Sequence, residues 1–435
     1  MSEWKTISLG ELGKFTNGIN KSAEDFGHGV PFVNLLDVFG VSTLSHVPAG
    51  LVNAREVEVL RYCLQVGDVL FVRSSVKPSG VGLTAVVLRD LPRTVFSGFL
   101  IRFRPDYSHC VPGFLGHCFH GGEFRASLLS QCTVSANTNI NQERLKALSI
   151  TLPPILEQTK IAEILSTVDR AIEQTEALIA KQQRLKTGLM QDLLTRGIDH
   201  HGNLRSEHTH EFKDSPLGRI PVEWEVTPLS SVVDLQVGYA FKSSWFVEEG
   251  VKLLRGENVG TGKADWKDTR CLSLEASESH KDYALAAGDM IIGMDRTFTK
   301  QGFKVTLLTD DDVPCLLVQR VGRFVPMTVP KEFMQLLIQS PAYQRELLLQ
   351  QKGMDIPHLS KSEILTPSVP VPREQTEMDA IASEIAKMNA TLSSTGRSLP
   401  KLRALKTALM QDLLTGRRRI TALLEVDQPL KNSLP

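Results

Sequence analysis

Neither sign of charge predominates in this chain of 435 residues: 49 lysines and arginines stand against 49 aspartates and glutamates. That balance withholds the overall basic character of a nucleic-acid binder and leaves a basic surface only as a local feature. No apolar run approaches the ~18 residues of a membrane-spanning helix, so no membrane segment is expected. Met1-Ser2-Glu3-Trp4 lacks the basic stretch and apolar run that open a secretory signal. Cysteines are few, and none form Cys-x-x-Cys. Cys63, Cys110, Cys118, Cys132, Cys271 and Cys315 are expected as buried or idle thiols of a reducing compartment, which places the chain in the cytoplasm.

Catalytic signatures are missing too. There is no Gly-x-Gly-x-x-Gly after a strand and no phosphate-binding Gly-x-x-x-x-Gly-Lys-Ser/Thr loop. Neither a Gly-x-Ser-x-Gly elbow nor His-Glu-x-x-His occurs, and no Asn/Asp-Pro-Pro-Tyr/Phe of amino-methyltransferases. His200, His201, His208 and His210 lie in a Gly-, Ser- and Glu-rich stretch without partner cysteines, which reads as a solvated linker. The expectation is a chain that is non-catalytic by itself and holds no metal or cofactor.

What the chain does have is a repeat. Leu185–Thr195 reads LKTGLMQDLLT, and Leu405–Thr415 reads LKTALMQDLLT; only Gly188 and Ala408 differ. Other segments recur in the same order. Trp4 matches Trp224, Val30–Val38 matches Val251–Val259, and Ile140–Pro153 matches Leu359–Pro372. Glu157-Gln158-Thr159 matches Glu374-Gln375-Thr376, and Val66–Arg73 matches Ala287–Arg296. A period near 220 residues means tandem domains rather than a solenoid.

Each copy has two halves. Residues 1–154 and 224–372 alternate short apolar runs with Gly, Pro, Asn and Asp, the mark of strands and turns. Val111–Leu129 and Glu332–Gln350 carry helical spacing. Residues 155–197 and 373–415 then form long helices, with 198–223 as linker and 416–435 as tail. In the first helix Ile161, Leu165, Val168, Ile172, Thr175, Ile179, Gln182, Lys186, Leu189 and Leu193 recur at spacings of three and four. The second gives Met378, Ile381, Ile385, Met388, Leu392, Thr395, Leu399, Leu402, Lys406, Leu409 and Leu413. These are heptad seams of near-equal length. The fold expected is therefore mixed α/β (α+β): two tandem globular domains separated by two long antiparallel coiled-coil helices, with pseudo-two-fold symmetry. Gly396 and Pro400 interrupt the second seam. Because an interior proline costs about 3 kcal/mol, a kink or break is expected near residues 393–400.

Basic surface is expected in two loops. Arg73-Ser74-Ser75-Val76-Lys77 follows a strand and is free of acid; Arg296-Thr297-Phe298-Thr299-Lys300-Gln301 is taken as its counterpart. Each places Arg and Lys four residues apart. Ser135–Asn141, with Asn137, Asn139 and Asn141, offers amides of the kind that read base edges, or equally a helix cap before Gln142. Arg255 and Asn258 are similar candidates.

The chain resembles the DNA specificity subunit of type I restriction–modification enzymes. The resemblance rests on Leu152–Asp169, Leu185–Asp199 and FKDSPLGRIPVEWEV at Phe212–Val226, which frame both copies. It implies two target recognition domains, each reading one half of a split, asymmetric site in double-stranded DNA. Helices would act as spacer and as docking surface for two modification subunits. S-adenosylmethionine, ATP and Mg would then belong to partners: the modification subunits and the ATP-dependent restriction subunits. Domains at two ends of a coil suit half-sites about one turn, roughly 34 Å, apart. The alternatives are a specificity subunit of a methylation-only complex and, from another class, a coiled-coil scaffold that does not bind DNA.

Overall fold

The structure is a computed structural model describing residues 4–134, 137–300, 302–350 and 358–420. Packing divides the chain into two units, one of residues 1–178 with 395–435 and one of residues 179–394. Each unit thus combines one globular domain with parts of both long helices, Ile155–Arg196 and Gln375–Leu414.

Both globular domains build a central sheet on the same four-strand order, to which the first domain adds a fifth strand, Thr43–Leu44. In the first unit its order is Gly13–Asn17, Leu100–Pro105, Val69–Val72, Thr84–Val87, Thr43–Leu44. In the second it is Val233–Val237, Val321–Pro326, Met290–Gly293, Val305–Leu307. The strand Val69–Val72 is wholly buried because both faces are covered. Val69 and Phe71 enter one core with Val86, Ile101 and Phe103. Leu70 and Val72 enter another with Ala85, Val87 and Leu100, as the two-residue period of a strand requires. Met290 and Ile292 likewise part from Ile291 in the second unit.

The helical stretches beside these sheets are each split in two. Pro112–His120 and Gly122–Ser130 replace the single helix expected at 111–129, and Lys331–Gln339 and Pro341–Gln350 replace that at 332–350. The breaks fall at Gly121 and at Ser340 before Pro341, where the residue ahead of a proline is driven out of helical backbone. The bend sets Phe119 against Phe71 and Phe124 against Phe119, with Phe114 in the same core.

Within each unit the long helices pair antiparallel. In the first, Asp169 bonds Lys406 at 2.5 Å and Glu176 bonds Arg403 at 2.6 Å, so one number rises as the other falls. Ile161 and Leu165 share a core with Leu413 and, partly buried, Leu409. In the second, Leu193 and, partly buried, Leu189 share a core with Met378, Ile381 and Ile385. Seam positions Val168, Ile172, Ile179, Met388, Leu392 and Leu402 are half-buried. Of the kink or break expected near residues 393–400, a break is absent: the helix Gln375–Leu414 runs on through Pro400. Pro400 lies on the exposed face while its neighbours Leu399 and Leu402 stay partly buried in the seam. Packing of the apolar stripe thus holds the turn against the loss of one backbone bond.

A carboxylate heads each helix, Glu157 buried and Glu377 partly buried. Glu157, 1% exposed, accepts from Trp4 Nε1 at 3.2 Å and from Arg419 Nε and Nη2, both at 2.8 Å. Glu377 accepts from Trp224 Nε1 at 3.2 Å, Ile198 N at 3.1 Å and both terminal nitrogens of Arg205. Arg205 and Ile198 belong to the stretch 198–223, which is therefore not a mere solvated linker. It contributes buried Ile198 and Ile220 to the core and forms the hairpin Phe212–Ser215 with Gly218–Pro221.

Burial pushes the Glu157 carboxyl upward, but hydrogen bonds from Arg419 and Trp4 outweigh it and hold the group below the ordinary glutamate range. A folded value below the unfolded one means the stabilisation is complete above the unfolded pKa of about 4.3. It is lost as pH falls through the folded value. Glu157→Gln should therefore be less stable than the parent by about 2 kcal/mol at pH 7, below the usual cost of breaking a buried pair because Arg419 is partly exposed. Urea titrations should show that gap shrinking below about pH 4; a gap independent of pH would contradict this account of Glu157.

Candidate nucleic-acid interface

The rim of each central sheet carries the candidate surface, and backbone bonds put the two rims in register. Arg73 N donates to Phe99 O at 2.9 Å, and Ile140 N donates to Arg73 O at 3.0 Å. In the second unit Met294 N donates to Arg320 O at 3.0 Å, and Leu359 N donates to Met294 O at 2.9 Å. Arg73 thus corresponds to Met294, not to Arg296; the expected pairing of the two arginines is off by two residues. Strands of equal length, Val69–Val72 and Met290–Gly293, leave no room for the insertion that pairing needs. Ser74 pairs with Asn139, and Asp295 bridges His358. The matched positions are therefore Ser74 with Asp295, Ser75 with Arg296, Phe99 with Arg320, and Asn139 with His358.

Several expected residues do come together in the first unit. Ser74–Ser75 and Thr138–Asn139 form one small sheet, which brings the serine loop and the asparagine loop side by side. Arg73 is exposed, its Nη1 3.5 Å from Gly98 O, and Lys77 is exposed. Arg125 Nη2 donates to Ser79 O at 3.0 Å and steadies the loop beyond. Asn139 Nδ2 donates to Asn137 O at 2.9 Å. Asn141 is a helix cap, accepting from Arg144 N at 3.0 Å, so the capping alternative accounts for it.

In the second unit Arg296 and Lys300 are exposed, and Lys300 follows the strand Phe298–Thr299 of a short hairpin. Gln301 lies outside the described residues. Two candidates are corrected. Thr297 is fully buried, its hydroxyl donating to Gly293 O at 2.8 Å. Asn258 is 1% exposed; it accepts from Arg255 N and donates to Asp265 O and Asp268 O at 3.2, 2.9 and 3.2 Å. Both hold turns together and present nothing to a ligand. Arg255 pairs with Glu257 and Asp268, which neutralise its charge. Phe99, Arg320 and His358 were not found from sequence, because only the ladder register brings them beside the basic loops.

A second surface comes from the repeated helix phrase. Thr407, Met410, Gln411, Leu414 and Thr415 line an open cavity of about 640 Å³ with His120, Phe124 and Thr151. Burial drives His120 below the ordinary imidazole value. Leu405 is exposed, as is its copy Leu185. Among the described residues no group of three or more His, Cys, Asp or Glu could hold a metal ion, and no helix is long and apolar enough to cross a membrane.

Comparison with known proteins places these features. The model of the type I restriction modification DNA specificity domain matches residues 1–182. The type I restriction enzyme MjaVIII specificity subunit of Methanocaldococcus jannaschii is 31% identical over 310 residues, 71% of this chain and 71% of its own. The EcoBI specificity subunit of Escherichia coli is 21% identical over 465 residues, 97% of this chain and 91% of its own. A solved S subunit of a type I restriction–modification system from M. genitalium has a similar fold, with TM-score 0.59 at 13% identity, covering 95% of this chain and 96% of that one. A chain from a structure on assembly and conformational transition of the type I R-M system gives 0.55 at 16%, covering 94% and 97%.

The corrected roles separate in a stability measurement. Asn258→Ala leaves buried backbone groups unpaired and should lower the unfolding free energy by about 2 kcal/mol. Lys300→Ala, at an exposed site, should stay within about 0.5 kcal/mol of the parent. Urea titration followed by tryptophan fluorescence distinguishes them; an Asn258→Ala chain as stable as the parent would return Asn258 to the candidate surface.

Proposed function

This chain belongs to the DNA specificity subunits of type I restriction–modification systems, non-catalytic parts of those systems, and on that premise we propose that each globular domain reads one half of a split, asymmetric DNA site. One observation carries the reading. The two domains share one sheet and one rim register, yet the rim positions hold Ser74, Ser75, Phe99 and Asn139 in one and Asp295, Arg296, Arg320 and His358 in the other. A common frame with different side chains is what reading two different short sequences requires. Arg73, Lys77, Arg296 and Lys300 supply phosphate or base contacts, phosphates giving salt-sensitive affinity and base edges giving sequence.

The helices carry the opposite pattern. Leu185, Thr187 and Gln191 are exposed and identical to Leu405, Thr407 and Gln411. Seam packing asks nothing of these positions. Identical exposed faces in both copies suit two copies of one partner, and the partner proposed is the modification subunit. The helices then set the spacing between half-sites. S-adenosylmethionine, ATP and Mg act on the modification and restriction subunits, not on this chain.

Lys77→Ala and Lys300→Ala, each assembled with modification subunits, should bind a generic duplex more weakly. Each should reduce the slope of log affinity against log salt by about one unit if it contacts a phosphate. Fluorescence anisotropy between 50 and about 200 mM salt measures this; unchanged slopes in both would remove these loops from the DNA surface. The function itself is read by mapping methylated adenines in cells with and without this gene. A bipartite motif that vanishes with the gene is expected, and an unaltered methylation pattern overturns the reading.

A further inference from the structure

Arg320 occupies a position the fold gives no reason to fill with arginine. It sits just before the strand Val321–Pro326, with φ at 69°, in the left-handed region that side chains other than glycine rarely adopt. Its side chain is 60% exposed, so pairing with Asp295 contributes little to stability. Phe99, its match in the first domain, is also 60% exposed, an equally poor use of a large apolar ring for packing. Both domains thus hold a large side chain out from the same point of the rim.

Around Arg320 the geometry is that of a guanidinium held in place for a ligand. Nη1 donates to Asp295 Oδ1 at 3.1 Å and to Oδ2 at 3.2 Å. Asp295 Oδ1 is itself bonded to His358 Nδ1 at 2.7 Å, and the two residues form a backbone bridge. Among the described residues Nε and Nη2 have no partner. These two nitrogens form one edge of the planar fork, with parallel N–H groups. Arg296, also at positive φ, follows Asp295 directly, and Lys304, whose carbonyl accepts from Gly293 N at 3.0 Å, donates through Nζ to Gly256 O. Asp295 and Glu257 are two carboxylates beside these three cations, which leaves the patch net positive and suited to a polyanion.

We propose that Arg320 is a base-reading residue of the second domain. Asp295 and His358 orient its Nε–Nη2 edge toward O6 and N7 of a guanine in the major groove. This rests on the proposed half-site function and adds a residue and a base to it. Guanine alone presents two acceptors side by side on that edge, the pattern a guanidinium fork matches. A phosphate also accepts two such bonds, but carries no sequence information. The orientation by Asp295 favours the base, since a flexible arginine suffices for a phosphate. Asp295 and His358 are positioning residues: they act on DNA through Arg320. Phe99 has no donor, so the first domain does not read guanine from this point, and the two half-sites differ there.

The test is the methylation motif of cells carrying the complete system, with wild type, Arg320→Ala, Arg320→Lys and Asp295→Asn compared. The wild-type motif should contain, in one half-site, a guanine that becomes variable in Arg320→Ala. Discrimination there should fall on the order of ten- to a hundredfold, while the other half-site keeps every base. Arg320→Lys, a point charge without the fork, should relax the same position. Asp295→Asn, which keeps the guanidinium and loses its orienting charge, should relax it less. Should Arg320→Ala abolish methylation, Asp295→Asn must still loosen that guanine for the proposal to stand. A methylating Arg320→Ala system with an intact motif, or with uniformly weaker methylation and no base relaxed, overturns it in favour of a phosphate contact. A wild-type system with no bipartite motif overturns the half-site function as well, so the two failures are distinct.

Discussion

A hydrogen-bonded carboxylate in the first turn of each long helix ties together pieces of chain that sequence keeps far apart. Glu157 joins Trp4 at the head of the first domain to Arg419 beyond the end of the second helix. Glu377 joins Trp224 to Ile198 and Arg205 beyond the end of the first. An ionised carboxylate is tolerable there because every oxygen is bonded, and because the start of a helix favours negative charge. The constraint decides where a globular domain departs from the long helices. It also shows that the geometry matters more than the route: Arg419 directly precedes Ile420, whereas Arg205 stands seven residues after Ile198.

From that anchored frame, variation and identity are distributed by purpose. The central sheets keep their strand order and bury the same alternating faces. Their rims diverge residue by residue. Exposed faces of the long helices remain identical in Leu405, Thr407 and Gln411 and their copies. The proposed function uses both: a surface that distinguishes one half-site from the other, and a surface that does not distinguish between two like partners.

Much of this was legible in the sequence. The repeat and heptad spacing located both helices and their paired faces, because a coil depends on a local period alone. What escaped depends on contacts across the chain. Residue type alone aligns Arg73 with Arg296, but ladder bonds decide register, and they match Arg73 to Met294. Pro400 marked a kink or break, and the helix continues through it with Leu399 and Leu402 packed in the seam. Polar composition hid Arg205 in a presumed linker, although its partner Glu377 lies far along the chain. Asn258 and Thr297 have the chemistry of base readers but are spent on turns. Arg320 and His358 carry no signal until Asp295 stands between them.

Exchange of one rim for another tests the central claim most directly. Residues 9–148 lie between the paired strands Lys5–Ser8 and Ser149–Leu152, so they can be replaced by the matching segment of another specificity subunit with Glu157 and both helices unchanged, provided the residues that face the helices, Val111, Phe114 and His117 among them, are kept. Methylated adenines are then mapped in cells carrying the complete system. The account predicts a motif with one half replaced, the other half unchanged and the spacing between them kept. A folded, methylating chimera in which both halves change, or neither does, would contradict it.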